Sequence, residues 1–311
     1  MGWEYQWDDK AHSGLKDTEF SFKNYAEAQQ RLADYQHLSD EVEQIGKGLS
    51  ENLRAAWFEM VQMPVQGACQ MNRKFLMAQL NHELLKEGRQ AEANWAAHQM
   101  ELAYDSINAL NRRYNEQLDG KWHGMMALST SFTPTAQFYQ KPEVTYTEGA
   151  GEKVVDLTPK AEPLNGCYLV ALDNYAEKSS DARLVKGLGY DWQVMQLGEV
   201  SYTIPTVEAD AVDVFFYTVP FWPLYAGQSN RVAVSIDGGE PQVFENKFAE
   251  YSRTWKDQVM RNGAPCRLHF AIDKTKRQHT VSFRALDAGQ MLQRVIIDWG
   301  GLQPSYIGPR Q

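Results

Sequence analysis

The sequence predicts an α+β protein of several domains, with an N-terminal antiparallel helical bundle followed by a C-terminal β-sandwich. From Asn24 to about Leu118, apolar residues recur every three or four positions, which is the period of an amphipathic helix. From Cys167 onward they recur every second position in short runs between turn residues, which is typical of sandwich strands. The 311 residues suffice for about two domains.

The helical region divides into three predicted helices with short links, as in an antiparallel bundle. Asn24 and Glu27 are spaced as a capping pair at the start of the first helix, and Gly46 and Gly48 close it. Ser50 is a good N-cap for the second helix. The three helices are predicted over residues 24–46, 50–88 and 90–118.

Pro64 lies inside the second predicted helix. Proline has no backbone N–H, and its ring clashes with the carbonyl of the residue four positions earlier, here Met60. The sequence therefore predicts a kink or a break in the helix at this point.

A stretch rich in proline, threonine and glutamate separates the two regions and shows little periodicity. We interpret it as a linker that lies along the surface of one or both domains. The predicted domains are an N-terminal extension over residues 1–22, a three-helix bundle over 23–128, a linker over 129–165 and a β-sandwich over 166–311.

The clearest local signal in the sandwich is a β-hairpin. The run 231–236 alternates in polarity, Asp237-Gly-Gly-Glu240 supplies turn residues, and 242–245 continues as the partner strand. Further strands are predicted over 212–217, 267–272, 279–284 and 292–297, with Val212, Val214 and Phe216 facing one side.

The C-terminal tail follows the last of these strands, which ends at Ile297. Pro304 and Pro309 cannot donate to a sheet, so the strand ends before them. Trp299 and Tyr306 need a surface on which to pack. Because such a tail is costly to order, we expect it to be fastened to a partner surface.

Charge and hydropathy bear on the partners. The formal net charge is −9 with no basic stripe, which argues against a nucleic-acid partner. No apolar run reaches the roughly 20 residues of a membrane helix, so no membrane partner is expected. The N-terminus lacks the charged and apolar regions of a secretory signal, so the protein is either cytoplasmic or a piece of a longer chain, and we favour the second interpretation.

The sequence shows no spacing that would identify a metal, cofactor or catalytic site. The three cysteines are far apart, and the seven histidines show no ligand spacing. Gly187-Leu-Gly189 lacks the helix of a dinucleotide loop, and no nucleophile elbow occurs. We therefore predict no metal and no cofactor, and catalytic carboxylates cannot be identified from spacing alone.

Aromatic residues in loops and at strand ends are the candidate binding residues. Flat aromatic rings can stack on the apolar C–H faces of sugars. The alternative, more common in a sandwich, is that such residues belong to the core or to a domain contact. The candidates for carbohydrate binding are Trp192, Trp222, Tyr225 and Trp255.

The sequence resembles the C-terminal half of glycoside hydrolase family 115, the xylan α-glucuronidases, from about residue 22 to 309. The longest similar motif is the run 294–309, which looks like the closing signature of the family. The other similar motifs are 231–243, 255–259, His279-Thr280 with Asp287, Met63-Pro-Val65, Met71-Asn72 and 120–126.

The resemblance implies a parent enzyme that removes glucuronic acid or its 4-O-methyl ether from xylan by hydrolysis, in the periplasm or outside the cell. It implies that the acid and base lie on a TIM barrel preceding the matched region. A barrel needs about 250 residues, so no catalytic residue is assigned here. The compartment of this chain itself is left open.

We therefore expect a non-catalytic scaffold that docks the missing catalytic barrel, presents a homodimer surface, and makes a weak contact with a xylan-derived glycan. Because it would have lost the barrel, we expect the bundle to expose an apolar face. The alternatives are a stand-alone carbohydrate-binding protein and a complete small enzyme with two perturbed carboxylates in a cleft.

Overall fold

The structure is a computed structural model. It describes residues 16–126, 141–161, 163–186, 193–205, 207–222 and 228–310. The chain forms two compact units, Met1–Ala161 and Glu162–Gln311. The first is helical and the second contains two antiparallel sheets, so the predicted fold class is confirmed. In the described part of the chain, no helix is long and apolar enough to span a membrane.

The helical unit contains four α-helices among its described residues, where three were predicted. The additional boundary lies inside the second predicted helix. The helices are α1 Glu27–Gly48, α2 Glu51–Trp57, α3 Met63–Lys86 and α4 Gln90–Gly120, with a π-helical segment, Phe58–Gln62, between α2 and α3.

The predicted kink or break at Pro64 takes the form of this π-helical segment. The backbone at Trp57, Phe58, Gln62 and Met63 stays in the right-handed helical region, so the chain continues from α2 into α3. Only the hydrogen-bond pattern changes, immediately before the proline. A π turn widens the helix by one residue and thereby accommodates the missing amide and the bulk of the proline ring.

The start of α1 differs from its prediction. The N-cap is Ala26, whose φ is 49°, and no side chain caps the helix there. Glu27 instead accepts a hydrogen bond from the Ser21 amide at 3.0 Å, and the Ser21 hydroxyl accepts the Asn24 amide at 2.9 Å. Glu27 therefore stabilises the turn that precedes α1 and does not form a capping pair with Asn24.

The segment 141–161, predicted as linker, belongs to the helical unit and lies along α3 and α4. Asn81, on α3, donates to the Thr145 carbonyl at 2.9 Å and accepts its amide at 3.0 Å. Asn94, on α4, pairs with the Thr147 carbonyl and amide at 2.9 and 2.7 Å. Both asparagines are buried. Each side chain therefore takes the place of a neighbouring strand for the extended segment.

The second unit consists, in its described part, of a six-stranded and a five-stranded sheet. The first has the order β3-β4-β11-β6-β9, with β1 also pairing with β11, and the second has the order β2-β5-β10-β7-β8. The strands are β1 Cys167–Leu169, β2 Glu177–Lys178, β3 Arg183–Lys186, β4 Gln193–Gln196, β5 Glu199–Pro205, β6 Ala211–Thr218, β7 Arg231–Ile236, β8 Gln242–Glu245, β9 Ala264–Ala271, β10 Gln278–Ala285 and β11 Met291–Asp298. One helix, α5 Arg253–Arg261, precedes β9.

The core of this unit lies between the two sheets. Val212, Val214 and Phe216 on β6 are buried in it, as the alternation predicted. Phe216 meets Phe283 of the other sheet edge to face, with ring centroids 5.4 Å apart. The predicted hairpin is also confirmed, because β7 and β8 pair antiparallel on either side of the turn at Asp237.

The C-terminal tail is fastened to its own unit, which corrects the expectation of a partner surface. The Asp298 carboxylate accepts the amides of Gly300, Gly301 and Leu302 at 2.9, 2.9 and 3.0 Å and thereby shapes the exit from β11. Charged acceptors make the stronger class of hydrogen bond. The turn is therefore fixed by one side chain.

Two arginines hold the end of the tail. Arg294 on β11 is 1 % exposed, and its guanidinium donates to the Ile307 carbonyl. Arg261 on α5 lies over the Tyr306 ring, 4.2 Å from its centroid, and donates to the Tyr306 carbonyl at 2.5 Å. The tail thus covers the outer side of β11 and satisfies a buried cation there.

We expect the substitution Gly301→Ala to destabilise the C-terminal unit by about 2–3 kcal/mol. An added Cβ would lie 1.8 Å from the Asn165 carbonyl oxygen, a backbone atom that cannot move aside as a flexible side chain can. Hydrogen exchange at the Trp299 amide, which donates to the Gly166 carbonyl at 2.9 Å, would report the loss.

The matched control for this change is Gly48→Ala, because an added Cβ there meets no atom within 4 Å. It should leave exchange at Trp299 unchanged. Equal exchange at Trp299 in both variants would show that the close approach of the two backbones is not a constraint on the fold.

Candidate functional site

Two of the four predicted aromatic residues lie in the described part of the chain. Trp222 follows β6 and is 47 % exposed, and Trp255 lies in the first turn of α5 and is half-buried. Trp192 and Tyr225 lie outside the described residues. The carbohydrate-binding role of all four remains a prediction.

Each of the two described tryptophans has an aromatic partner from the same loop, between β8 and α5. Trp222 meets Phe248 with ring centroids 5.5 Å apart and an interplanar angle of 68°. Trp255 meets Tyr251 at 5.2 Å and 63°. We call these four residues the loop aromatics. Sequence reasoning missed Phe248 and Tyr251, although two aromatics directly before Trp255 were a visible signal.

Tyr251 is the most exposed of the loop aromatics, at 69 %. Its backbone has a φ of 61°, in the left-handed region that a bulky residue rarely adopts. Such a conformation costs of order 1–3 kcal/mol and persists only where the surroundings hold it. Here it presents a large ring to solvent, and strain of this kind concentrates at functional sites.

A network of amide side chains holds the segments that carry the loop aromatics. Asn230 donates to the Phe221 carbonyl at 3.0 Å, and its own carbonyl accepts the Asn246 amide at 2.9 Å. The side chains of Asn246 and Gln258 form a reciprocal pair at 3.0 and 2.8 Å. The network therefore connects the loop of Trp222, the two strands β7 and β8, and helix α5.

Helix α5 also has its own start signal, which fixes Trp255. The Ser252 hydroxyl accepts the Trp255 amide at 3.2 Å, as an N-cap side chain does. The ring of Trp255 is thus placed by a capped helix on one side and by Tyr251 on the other.

An ion pair stabilises the same end of β7. Arg231 donates to Asp287 twice through its guanidinium, at 2.8 and 3.0 Å, and once through its backbone amide at 3.0 Å. The hydrogen bond from Arg231 keeps the pKa of the Asp287 carboxyl below its ordinary value, against the opposing effect of burial. Asp287 is therefore a structural anion beside the network rather than a proton donor.

The pKa is lowered in every described carboxyl side chain whose pKa departs from its ordinary value. Hydrogen bonds and charges from neighbouring groups lower the pKa of each of them and outweigh burial where burial opposes. These carboxyls belong to Glu87, Glu92, Glu101, Asp156, Asp181, Asp213, Asp237, Glu245, Asp273 and Asp287.

Within the described residues, no group of three or more His, Cys, Asp or Glu side chains could hold a metal ion. The chemistry that the loop aromatics offer is stacking through their rings and hydrogen bonding through the polar atoms of tryptophan and tyrosine. They do not bring together a proton donor and a proton acceptor of the kind that acid–base catalysis uses.

We expect Asn246→Ala to cost about 1–3 kcal/mol, because it leaves the buried Gln258 amide without its partner. Gln258→Ala should cost a similar amount. Urea-induced unfolding of the two single variants and the double variant would measure the coupling between the side chains.

Because the two side chains satisfy each other, the double variant should cost clearly less than the sum of the single ones. Additive losses would mean that the reciprocal pair does not contribute to stability as a unit, and that other contacts hold α5 in place.

Comparison with known proteins bears on the whole chain. Residues 169–311 match a family model described as the glycosyl hydrolase family 115 C-terminal domain. No curated protein matches the chain. A solved family 115 4-O-methyl-α-glucuronidase, BtGH115A, with specificity for decorated arabinogalactans, is 27 % identical with a TM-score of 0.73.

That similarity covers 94 % of this chain and 35 % of the solved enzyme, so this chain spans about a third of its relative's length. A family 35 carbohydrate-binding module from Clostridium thermocellum is also similar, at 9 % identity and a TM-score of 0.31, over 42 % of this chain and 97 % of the module. That score is too low to support an inference.

Proposed function

We propose that this chain, whose residues 169–311 form a family 115 C-terminal domain, is the non-catalytic C-terminal portion of a glycoside hydrolase. The parent activity would be hydrolytic release of glucuronic acid or 4-O-methylglucuronic acid from xylan. The carrying observation is that almost the whole chain is similar to only about a third of a family 115 enzyme. The proposed catalytic barrel would lie in the remainder of such an enzyme.

The electrostatics of the described carboxyl groups support a non-catalytic role. Inverting glycosidases use two carboxyls about 6.5–9.5 Å apart, one of which keeps a raised pKa so that it can protonate the leaving oxygen. The perturbed carboxyls described above are all held as anions by donors around them. Such groups stabilise the fold, and they are poor general acids near neutral pH.

Exposed apolar side chains on the helices support a docking role. Leu38 and Ile45, seven residues apart on α1, are 43 % and 51 % exposed, and Leu53 on α2 is 50 % exposed. Met60, in the π-helical segment, is 79 % exposed. Side chains of this kind gain free energy when a partner covers them. We propose the catalytic barrel as that partner, and a homodimer contact as the second use.

The test of the non-catalytic role is a calorimetric titration of the chain with a xylooligosaccharide decorated with glucuronic acid. We expect either no heat or a saturating signal from binding, with no free glucuronic acid on chromatography of the mixture. Heat that continues after each injection, together with released glucuronic acid, would show turnover and refute this role.

The second candidate is a stand-alone carbohydrate-binding protein. The specific observation in its favour is the exposure of Trp222 and Tyr251, each supported by a second aromatic ring. A sugar stacked on either ring would bury apolar surface that is now in water. On this proposal the loop aromatics contact the glycan, and no further domain is needed.

We expect Trp222→Ala and Tyr251→Ala each to abolish the retardation of the chain in a native gel containing glucuronoxylan. The matched control is Tyr175→Ala, since Tyr175 is also exposed and lies in the same unit. A chain that migrates equally with and without the polysaccharide, or two variants that are retarded like the unchanged chain, would exclude binding through the loop aromatics.

A further inference from the structure

A groove of about 400 Å³ lies on the outer face of the five-stranded sheet. Its polar lining comes from Glu199, Ser235, Glu240, Ser282 and Arg284, and we call it the sheet groove. None of these residues belongs to the loop aromatics. Ligand pockets in proteins have volumes of about 300–1,000 Å³, so the sheet groove is large enough for a small ligand or a short segment of a longer one.

The alternation of β7 and β10 builds the floor of the sheet groove. Val234 and Phe283 are buried in the core, so their neighbours in sequence point outward. Ser282 lies opposite Ser235 in the strand register, and Arg284 lies opposite Ala233. Because alanine is small, it leaves open space beside the arginine.

The turn between β7 and β8 forms one wall of the sheet groove. Asp237 and Gly238 have φ values of 53° and 71°, and the Gly239 amide donates to the Ile236 carbonyl at 2.9 Å. These are features of a type I′ turn, here inside the longer connection between the last paired residues, Val234 and Gln242.

Contacts from β10 and the chain before it fix this turn. The Asp237 carboxylate accepts the Thr280 amide, the Lys276 ammonium and the His279 ring nitrogen Nδ1, each at 2.9 Å. The wall is therefore held in place by three donors. A groove that is already formed loses less entropy on binding than one that must be ordered by its ligand.

The polar groups of the sheet groove have no partners elsewhere in the described chain. Arg284 lies across from Glu199 in the register, yet their charged atoms form no ion pair within 4.0 Å. The hydroxyls of Ser235 and Ser282 and the carboxylate of Glu240 make no hydrogen bond with the described residues either. Every one of these groups is therefore available to a ligand.

The polar side chains in the lining of the sheet groove determine which class of ligand it can bind. Arg284 only donates, the two glutamates only accept, and the two serines do both. The carboxylates outnumber the single guanidinium, which disfavours an anion, and the guanidinium disfavours a cation. A neutral sugar presents hydroxyls that donate and accept on neighbouring carbons, and it matches this set.

We propose that the sheet groove binds a neutral segment of an oligosaccharide. The hydroxyls of the sugar would donate to Glu199 and Glu240 and accept from Arg284, while Ser235 and Ser282 complete the pattern. This inference rests on the proposed function, because it names a class of glycan that the non-catalytic portion would hold. The residues that line the sheet groove do not include Trp222 or Trp255.

The test is a calorimetric titration of the full 311-residue chain with two neutral probes, xylotetraose and β-1,3-galactotetraose. Probe concentrations up to about 10 mM make a Kd near 1 mM detectable. We expect saturable binding of at least one probe. Absence of binding for both probes would refute the proposal.

Variants locate the binding. Ser282→Leu would fill the floor of the sheet groove, and Arg284→Met would remove its donor, so each should weaken binding at least tenfold. The matched control is Thr203→Leu, because Thr203 is exposed on the same sheet and does not line the groove. It should bind as the unchanged chain does. Binding that survives both groove variants would place the sugar elsewhere and refute the proposal.

Two further measurements distinguish this proposal from binding through the loop aromatics and from the non-catalytic role. Loss of neutral-probe binding in Trp222→Ala, together with retained binding in Ser282→Leu and Arg284→Met, would assign the binding to the loop aromatics and refute the proposal. Turnover of the decorated xylooligosaccharide would refute the non-catalytic role alone, since the groove variants report binding of a neutral probe that carries no glucuronic acid. Circular dichroism would confirm that Ser282→Leu and Arg284→Met are folded.

Discussion

Buried polar side chains that satisfy backbone groups hold the irregular parts of this protein. A buried N–H or C=O without a partner is costly, so a segment outside a sheet or helix needs donors and acceptors from elsewhere. Asn81 and Asn94 supply them to the extended segment on the helices. Asn230 does so for the Phe221 carbonyl beside Trp222, and Asp298 does so for the tail. The regular elements provide the surfaces, and these side chains determine which segment lies on them.

The periodicities of the sequence are sufficient for most of the elements because those elements are built from local patterns. The strands β6, β7, β10 and β11 each contain their predicted run, β9 ends one residue before the end of its predicted run, and the alternation on β6 gave its buried face correctly. The amide pairs could not be predicted in the same way. Asn81 and Thr145 are 64 residues apart, and nothing local to either residue marks the other as its partner. The sequence therefore predicted a segment lying along a domain surface but not the side chains that hold it there.

In the two candidate binding surfaces, too, some residues could be identified from the local sequence and others only from the fold. Trp222 and Trp255 were candidates because tryptophan in a loop is conspicuous, whereas the ring contacts that pair them with Phe248 and Tyr251 cannot be read from the sequence. The sheet groove had no signal at all, since Ser235 and Ser282 are ordinary outward residues of a sandwich strand. Its significance comes from the register that places them side by side and from Arg284 having no partner in the described chain.

The loop aromatics and the sheet groove differ in chemistry, and the difference suits the supporting role proposed above. The loop aromatics offer rings that can stack on a sugar face, whereas the sheet groove offers directional hydrogen bonds with no aromatic residue in its lining. Each contact would be weak by itself. On a long glycan, two weak contacts on one domain act together, because the second binds at the high local concentration that the first creates. Under the proposed function, such a domain would keep a polymer near the catalytic barrel without holding it so tightly that turnover slows.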